Sequence, residues 1–259
     1  MRASLTFLAV AALACVGPAP VRGTLQSASF LQGQPATGAI DVGASRQVSG
    51  ANLRTWSRSK SDGTVTEVGV TLPYAVIENP PAEGDGPAGA SAVLAFPALA
   101  REQTFFDHFE LHWNPMGHEP AAFAVPHFDL HFYGINPEAV RAIAHQDPDP
   151  PPPERLPQGF IYPGEAGFVP EMGTHVFDPK ELEEPFSFAM VAGIHGGDIV
   201  FVEPMVTHAY LLEKRSETVA VPRPASFGRR TVFPDMMRLE WLPDEDAYRI
   251  VFSDFVERD

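Results

Sequence analysis

Two short stretches of the chain alternate strictly between polar and apolar residues. "HFELHW" sets His108, Glu110 and His112 against Phe109, Leu111 and Trp113. "PHFDLHFYG" sets His127, Asp129, His131 and Tyr133 against Phe128, Leu130 and Phe132. A period of two is the signature of a β-strand whose faces meet different surroundings, so each stretch predicts a strand with one aromatic face for a core. The same alternation flanks Ser61-Asp62-Gly63 in "NLRTWSRSKSDGTVTEVGVTL" and predicts a hairpin there. Further hairpins are expected around His195-Gly196-Gly197, between Phe186–Ile194 and Ile199–Val202, and around the acidic turn Pro243 to Ala247. Val93–Phe96 reads as another strand.

Helical patterning is sparse. Leu72-Pro73 opens a short helical turn to Glu78, and Asn136-Pro137 supplies an N-cap and a first-turn proline for a helix to about His145. With 27 prolines and 21 glycines in 259 residues, many short elements joined by turns are expected. The fold class is therefore mainly β, a single barrel-like or sandwich domain of about eight to eleven short strands with two short helices.

The organisation expected along the chain has three parts. Residues 1–23 read as a signal peptide, with Arg2 ahead of an apolar run from Leu5 to Val16 that is too short to span a bilayer and a cleavage point after Gly23. Residues 24–50 read as a mobile lead-in or irregular edge structure, and residues 51–259 as one β-rich domain with a proline-rich loop at 147–157. Such a leader implies a secreted or periplasmic protein; lipid anchoring through Cys15 is the alternative, but Leu13 sits one place off the usual lipobox. Cys15 is the one cysteine, so cleavage removes any prospect of disulfides. The formal charge of −15 argues against nucleic-acid and anionic-lipid partners, and no transmembrane span is expected after the leader.

The polar faces carry the candidate chemistry. Imidazole and carboxylate donors without thiolates suit zinc, iron, manganese or nickel, with zinc first. If the two histidine strands pair antiparallel, one register sets His112 opposite His127, Glu110 opposite Asp129 and His108 opposite His131, with opposed Cβ atoms about 4.5–5.5 Å apart. On a regular strand His127 and His131 lie about 13 Å apart, too far for one ion, whereas His127 with Asp129 is within reach. The expected metal set is His118, His127, Asp129, His131 and His175, with Glu119 and Glu203 as candidate catalytic bases. "VPEMGTHVFDP" contributes His175 with Glu171 and Asp178 nearby, and Glu203 is expected to end a strand before Pro204. Two other readings stay open: a non-catalytic envelope protein whose histidines bind metal structurally or only hydrogen-bond, and a barrel that binds a small-molecule ligand.

The motifs "WNPMGHEP", "PHFDLHFYG", "MGTHVFDP" and "VFVEPMVT", in this order behind the early hairpin, resemble a family of secreted bacterial proteins of unknown function typified by a Thermus protein under sigma-E/anti-sigma-E control. The resemblance covers about residues 50–212. It implies a β-rich, exported homo-oligomer and supplies no reaction. By motif position it points to His118, Glu119, His127, Asp129, His131, His175, Asp178 and Glu203; at His112 this chain departs from the acidic residue more usual there.

Overall fold

A computed structural model describes residues 38–82, 89–182 and 186–259. The leader, most of the lead-in and the middle of the loop at 79–90 lie outside the described residues. Within them run thirteen strands in chain order: β1 (Ala39–Val48), β2 (Ala51–Ser59), β3 (Val65–Pro73), β4 (Ala92–Ala95), β5 (His108–Asn114), β6 (His127–Tyr133), β7 (Phe168–Val169), β8 (Gly173–Val176), β9 (Phe188–His195), β10 (Asp198–Thr207), β11 (Glu217–Ala220), β12 (Thr231–Leu242) and β13 (Ala247–Arg258). Four α-helices of five or six residues join them: α1 (Tyr74–Glu78), α2 (Ala98–Gln103), α3 (Pro137–Arg141) and α4 (His208–Leu212).

The protein is mainly β, as the alternation predicts, and one of its two sheets curls into a half-barrel. A six-stranded sheet has the order β1-β2-β3-β13-β12-β11, and a seven-stranded sheet the order β4-β5-β6-β10-β9-β8-β7. Every neighbouring pair is antiparallel. The three predicted hairpins are β2–β3, β9–β10 and β12–β13. The Asn136 side chain caps α3 by accepting from the Ala139 amide at 2.8 Å.

Three expectations are corrected. The stretch Ala39–Val48, read as part of the lead-in, is a ten-residue edge strand paired with β2, with a bulge between Val42 and Ser45. The helices number four among the described residues, two more than expected, α2 and α4 being the additions. Finally, β10 does not stop at Glu203 but continues through Pro204 to Thr207. The ladder to β9 is unbroken from Phe201 to Val206, while the ladder to β6 skips Glu203 and Pro204, where a proline without an N–H costs a central strand least.

The aromatic faces predicted from sequence meet in the core. Phe109, Leu111, Phe128, Leu130, Phe132, Val202 and Val206 of the seven-stranded sheet pack with Leu53, Val68, Val70, Leu72, Ile250 and Phe252 of the other. Phe132 is fully buried and touches the rings of Phe96, Phe106, Phe109 and Phe252 at centroid distances of 4.6–5.7 Å. Burying one such side chain stabilises the fold by about 1.5–3 kcal/mol. With one face of β5, β6 and β10 committed to this core, alternation sends Glu110, Asp129, His131 and Glu203 to the opposite face. These residues are also buried, and Phe123, Phe177 and Phe186 form a satellite cluster with Val191 and Met205 on that side.

Candidate metal centre

The register of β5 against β6 differs by two residues from the expected one. His108 pairs with Tyr133, Glu110 with His131, His112 with Asp129, and Asn114 with His127. Each strand keeps its faces, since the shift is even, but every cross-strand partner changes. The reason is that β5 runs on to Asn114 and the turn begins only at Pro115. On the other side of β6, β10 pairs Phe201 with Tyr133 and Met205 with Asp129. That register sets Glu203 beside His131.

The five predicted metal residues divide into two groups, and Glu203 joins the second. His118, His127 and Asp129 form one trio; His131, His175 and Glu203 form the other, and in each the potential ligand atoms all lie within 4.8 Å of one another. His118 reaches the first trio from the loop between β5 and β6. That loop folds back at Gly117, whose φ of +67° and approach to the Phe123 carbonyl leave no room for a side chain. The His118 amide then donates to the same carbonyl at 3.3 Å.

In the first trio, Nε2 of His118 and Nε2 of His127 are 3.1 Å apart. His127 Nε2 lies 3.0 Å from Asp129 Oδ1, and His118 Nε2 lies 3.5 Å from Asp129 Oδ2. The Nδ1 atoms are committed elsewhere: His118 Nδ1 donates to the Glu119 carbonyl at 2.8 Å and His127 Nδ1 to the Val125 carbonyl at 2.7 Å. A neutral imidazole has one N–H, so both Nε2 atoms carry lone pairs toward each other and toward the carboxylate. Consistent with this, the buried Asp129 Oδ1 has no hydrogen-bond partner despite its 3.0 Å neighbour. Only a cation among these atoms, a metal ion or an added proton on an imidazole, relieves the repulsion. Donor atoms bound at about 2.0–2.1 Å to a tetrahedral ion sit roughly 3.3 Å apart, close to the 3.1 Å between the two nitrogens here. Asn114 completes the arrangement by donating its Nδ2 to Asp129 Oδ2 at 2.6 Å.

The electrostatics follow from the same contacts. Burial opposes charge on both Asp129 and His118. Yet His118 and His127 hold the Asp129 carboxyl far below its ordinary range, and Asp129 raises His118.

The second trio is drier. His175 Nδ1 donates to the Gly167 carbonyl at 3.1 Å, which aims its Nε2 at Glu203 Oε2, 3.7 Å away. His131 Nε2 lies 3.6 Å from Glu203 Oε1. Neither ring nitrogen of His131 has a hydrogen-bond partner, and neither has Glu203 Oε2. Burial drives His131 well below its ordinary pKa and His175 down to about 4, while burial and the nearby Asp129 charge push Glu203 well up. Phe201 packs on both imidazoles, at 4.8 Å from His131 and 5.1 Å from His175. It fits because Gly193 has no Cβ, which would fall 2.0 Å from the Phe201 ring.

A hydrogen-bonded row lies behind the two trios. Glu110, fully buried, joins His108 Nε2 at 3.2 Å and His112 Nε2 at 3.3 Å. His112 in turn packs its ring edge against His131 at 4.7 Å. Both trios open on a cavity of about 400 Å³ lined by His118, Asp129, His175, Glu119, His112 and Asn114, with Phe123, Met172, Phe177 and Met205 among its apolar walls. Glu119 therefore borders the cavity, whereas Glu203 lies beneath it. Asp178 is engaged in its own turn, accepting from the Lys180 amide at 3.1 Å, and takes no place in either trio. His208, outside the predicted set, donates through Nε2 to the Ile77 carbonyl at 2.8 Å. Asn114 is the contributor that sequence reasoning missed; its signal was the polar, in-phase position two residues beyond His112.

Fold and site together define a mainly β protein with a buried histidine–carboxylate cluster at the floor of a cavity. The family model described as "TTHB210-like: Hypothetical protein TTHB210" matches residues 61–113, from the β2–β3 turn to the end of the "HFELHW" strand. Over that stretch the chain is similar to a family of unknown function known from a hypothetical Thermus protein. No curated protein and no solved structure matches the chain. No helix among the described residues is long and apolar enough to cross a membrane.

Proposed function

We propose that this protein binds a divalent transition metal, zinc first, through His118, His127 and Asp129, and that it acts as a metal-dependent hydrolase or lyase outside the cytoplasm. The observation that carries the reading is the approach of two Nε2 atoms to 3.1 Å while both Nδ1 atoms face backbone carbonyls, with an unpartnered carboxylate oxygen 3.0 Å from one of them. Three protein donors, two of them from residues lining an open cavity, match a catalytic site, which keeps a position for water or substrate, better than a structural one closed by four ligands. A bound ion would supply Lewis acidity and an activated water. Glu119, which lines the cavity beside His118 in sequence, is our candidate for the group that takes a proton. Export rests on the leader, and assembly as a homo-oligomer on the family resemblance.

A second reading has its own support. The apolar walls formed by Phe123, Met172, Phe177, Val191 and Met205 suit a protein that binds a small molecule without transforming it, with the ion as its polar anchor. The test of metal binding is elemental analysis of untagged protein prepared without chelator, beside a His118→Ala/His127→Ala variant. At least one ion per chain that the variant lacks is the expected result. Wild-type protein that takes up no zinc, iron or manganese would sink both metal-based readings.

A further inference from the structure

We infer that His131, His175 and Glu203 form a second divalent-metal position, so that the histidine–carboxylate cluster holds two ions rather than one. The inference extends the metal reading of the first trio, but it stands on different side chains. From sequence, His131 and His175 are candidate ligands, with His127 and His131 too far apart on one strand to share an ion, and Glu203 is a candidate base.

Three observations carry it. First, His131 and Glu203 are each 1% exposed, and both nitrogens of His131 and Oε2 of Glu203 lack any hydrogen-bond partner. Buried polar atoms are nearly always satisfied, and a group left without a partner signals an unseen ligand or a stored cost. Here the unpartnered atoms converge, because the donor atoms of all three residues lie within 4.8 Å of one another. Second, His175 is oriented for ligation. Its Nδ1–H is spent on the Gly167 carbonyl, the outer contact that fixes tautomer and ring plane in metal-bound histidines. Third, aromatic rings wall the trio. Phe201, admitted by Gly193, walls both imidazoles, and the Tyr133 ring stacks on His131 at 5.6 Å.

The two positions are adjacent but separate. Asp129 and His131 are consecutive same-face residues of β6, roughly 6.6 Å apart along the strand. His118 and His175 border the same cavity. One ion cannot collect both His127 and His131 on a regular strand, which is why the cluster splits in two. On this assignment Glu203 is a ligand, and Glu119 alone remains as the candidate base at the cavity wall.

The test is metal stoichiometry on the full chain, stripped with chelator and reloaded separately with Zn²⁺ and Mn²⁺. Wild type should hold two ions per chain. His175→Ala and Glu203→Gln should each hold one, and His118→Ala should also hold one. Electron paramagnetic resonance of the Mn²⁺ form should show a spin-coupled spectrum in wild type and an isolated-ion spectrum in each variant. One ion in wild type, kept in full by His175→Ala and Glu203→Gln, would overturn the second position and leave the first reading intact. One ion lost in either set of variants would overturn it in favour of a single shared site. No ion in wild type would defeat both readings. If a variant fails to fold by circular dichroism, the wild-type count of two or one still decides.

Discussion

Replacing Asn114 by alanine tests whether the first trio is built for an ion. The Asn114 amide donates to Asp129 Oδ2 at 2.6 Å, which turns the other oxygen, Oδ1, toward His127 at 3.0 Å. Losing an outer contact of this kind weakens metal affinity by about 10–100-fold. At a free zinc concentration of 100 times the wild-type Kd, binding stabilises the native state by about 2.7 kcal/mol. At the same zinc concentration the variant would gain only about 0.4–1.4 kcal/mol. For a domain of this size each kcal/mol is worth roughly 2–4 °C, so a zinc-induced rise in Tm of roughly 5–11 °C should shrink to about 1–6 °C. The assay is calorimetric melting with and without zinc, with Kd measured independently by competition against a chromophoric chelator. Comparing the zinc-induced increments of each protein cancels the cost to the metal-free fold of leaving Asp129 one hydrogen bond short. An Asn114→Ala protein whose zinc increment equals that of wild type would refute the reasoning.

Other consequences reach beyond the trios. Gly193→Ala places a methyl group where the Phe201 ring now lies, 2.0 Å from its nearest atom; overpacking of this kind costs about 1–3 kcal/mol, and urea melts of the metal-free protein should show it. Phe132→Ala empties the junction of four rings in the core and should cost about 3–5 kcal/mol with and without zinc, so an effect confined to the zinc-loaded form would contradict the two-faced reading of β6. Burial and the Glu217 carboxylate push the Tyr210 phenol up to about 12. The unfolded chain therefore releases that proton first, the folded state binds more protons between pH 10 and 12, and stability should fall across that window. Denaturant midpoints of Tyr210→Phe should fall less steeply there than those of wild type.

How far the chain could be read varies with the length of each pattern. The alternation from His108 to Trp113 and from His127 to Tyr133 was sufficient to place both strands, their core faces and their polar faces. Three hairpins were equally legible, because compact turns rich in glycine or acidic residues separate runs of four residues or more. The strands that went unread are those with little pattern to offer: β7 has two residues, β8 and β11 four each, and β1 is exposed over most of both faces. Proline misled at β10, where Pro204 suggests a strand end. The structure places it inside the strand, and the β6 ladder skips that point.

The site was legible as a set of residues and not as an arrangement. Alternation determines which side a residue faces, and the distance limit along one strand already separated His127 from His131. It does not determine what stands opposite. A twelve-residue connection, 115–126, leaves the β5–β6 register free by steps of two, and each step preserves both faces while exchanging every partner. Had His112 stood opposite His127, two histidines would face each other there and Asp129 would meet Glu110, two carboxylates in a buried setting. The observed register instead gives His127 the amide of Asn114 as its neighbour, gives Asp129 an imidazole, and sets Glu110 beside His131. It thus separates the two carboxylates and brings the Asn114 amide within reach of Asp129, so the electrostatic cost of burying four histidines and two carboxylates on two strands itself favours this register over its neighbour. The same rule applies at β10, where Glu203 meets His131 rather than Asp129. Charge complementarity across strands, considered together with the pleat, is the constraint that the apolar pattern alone does not express.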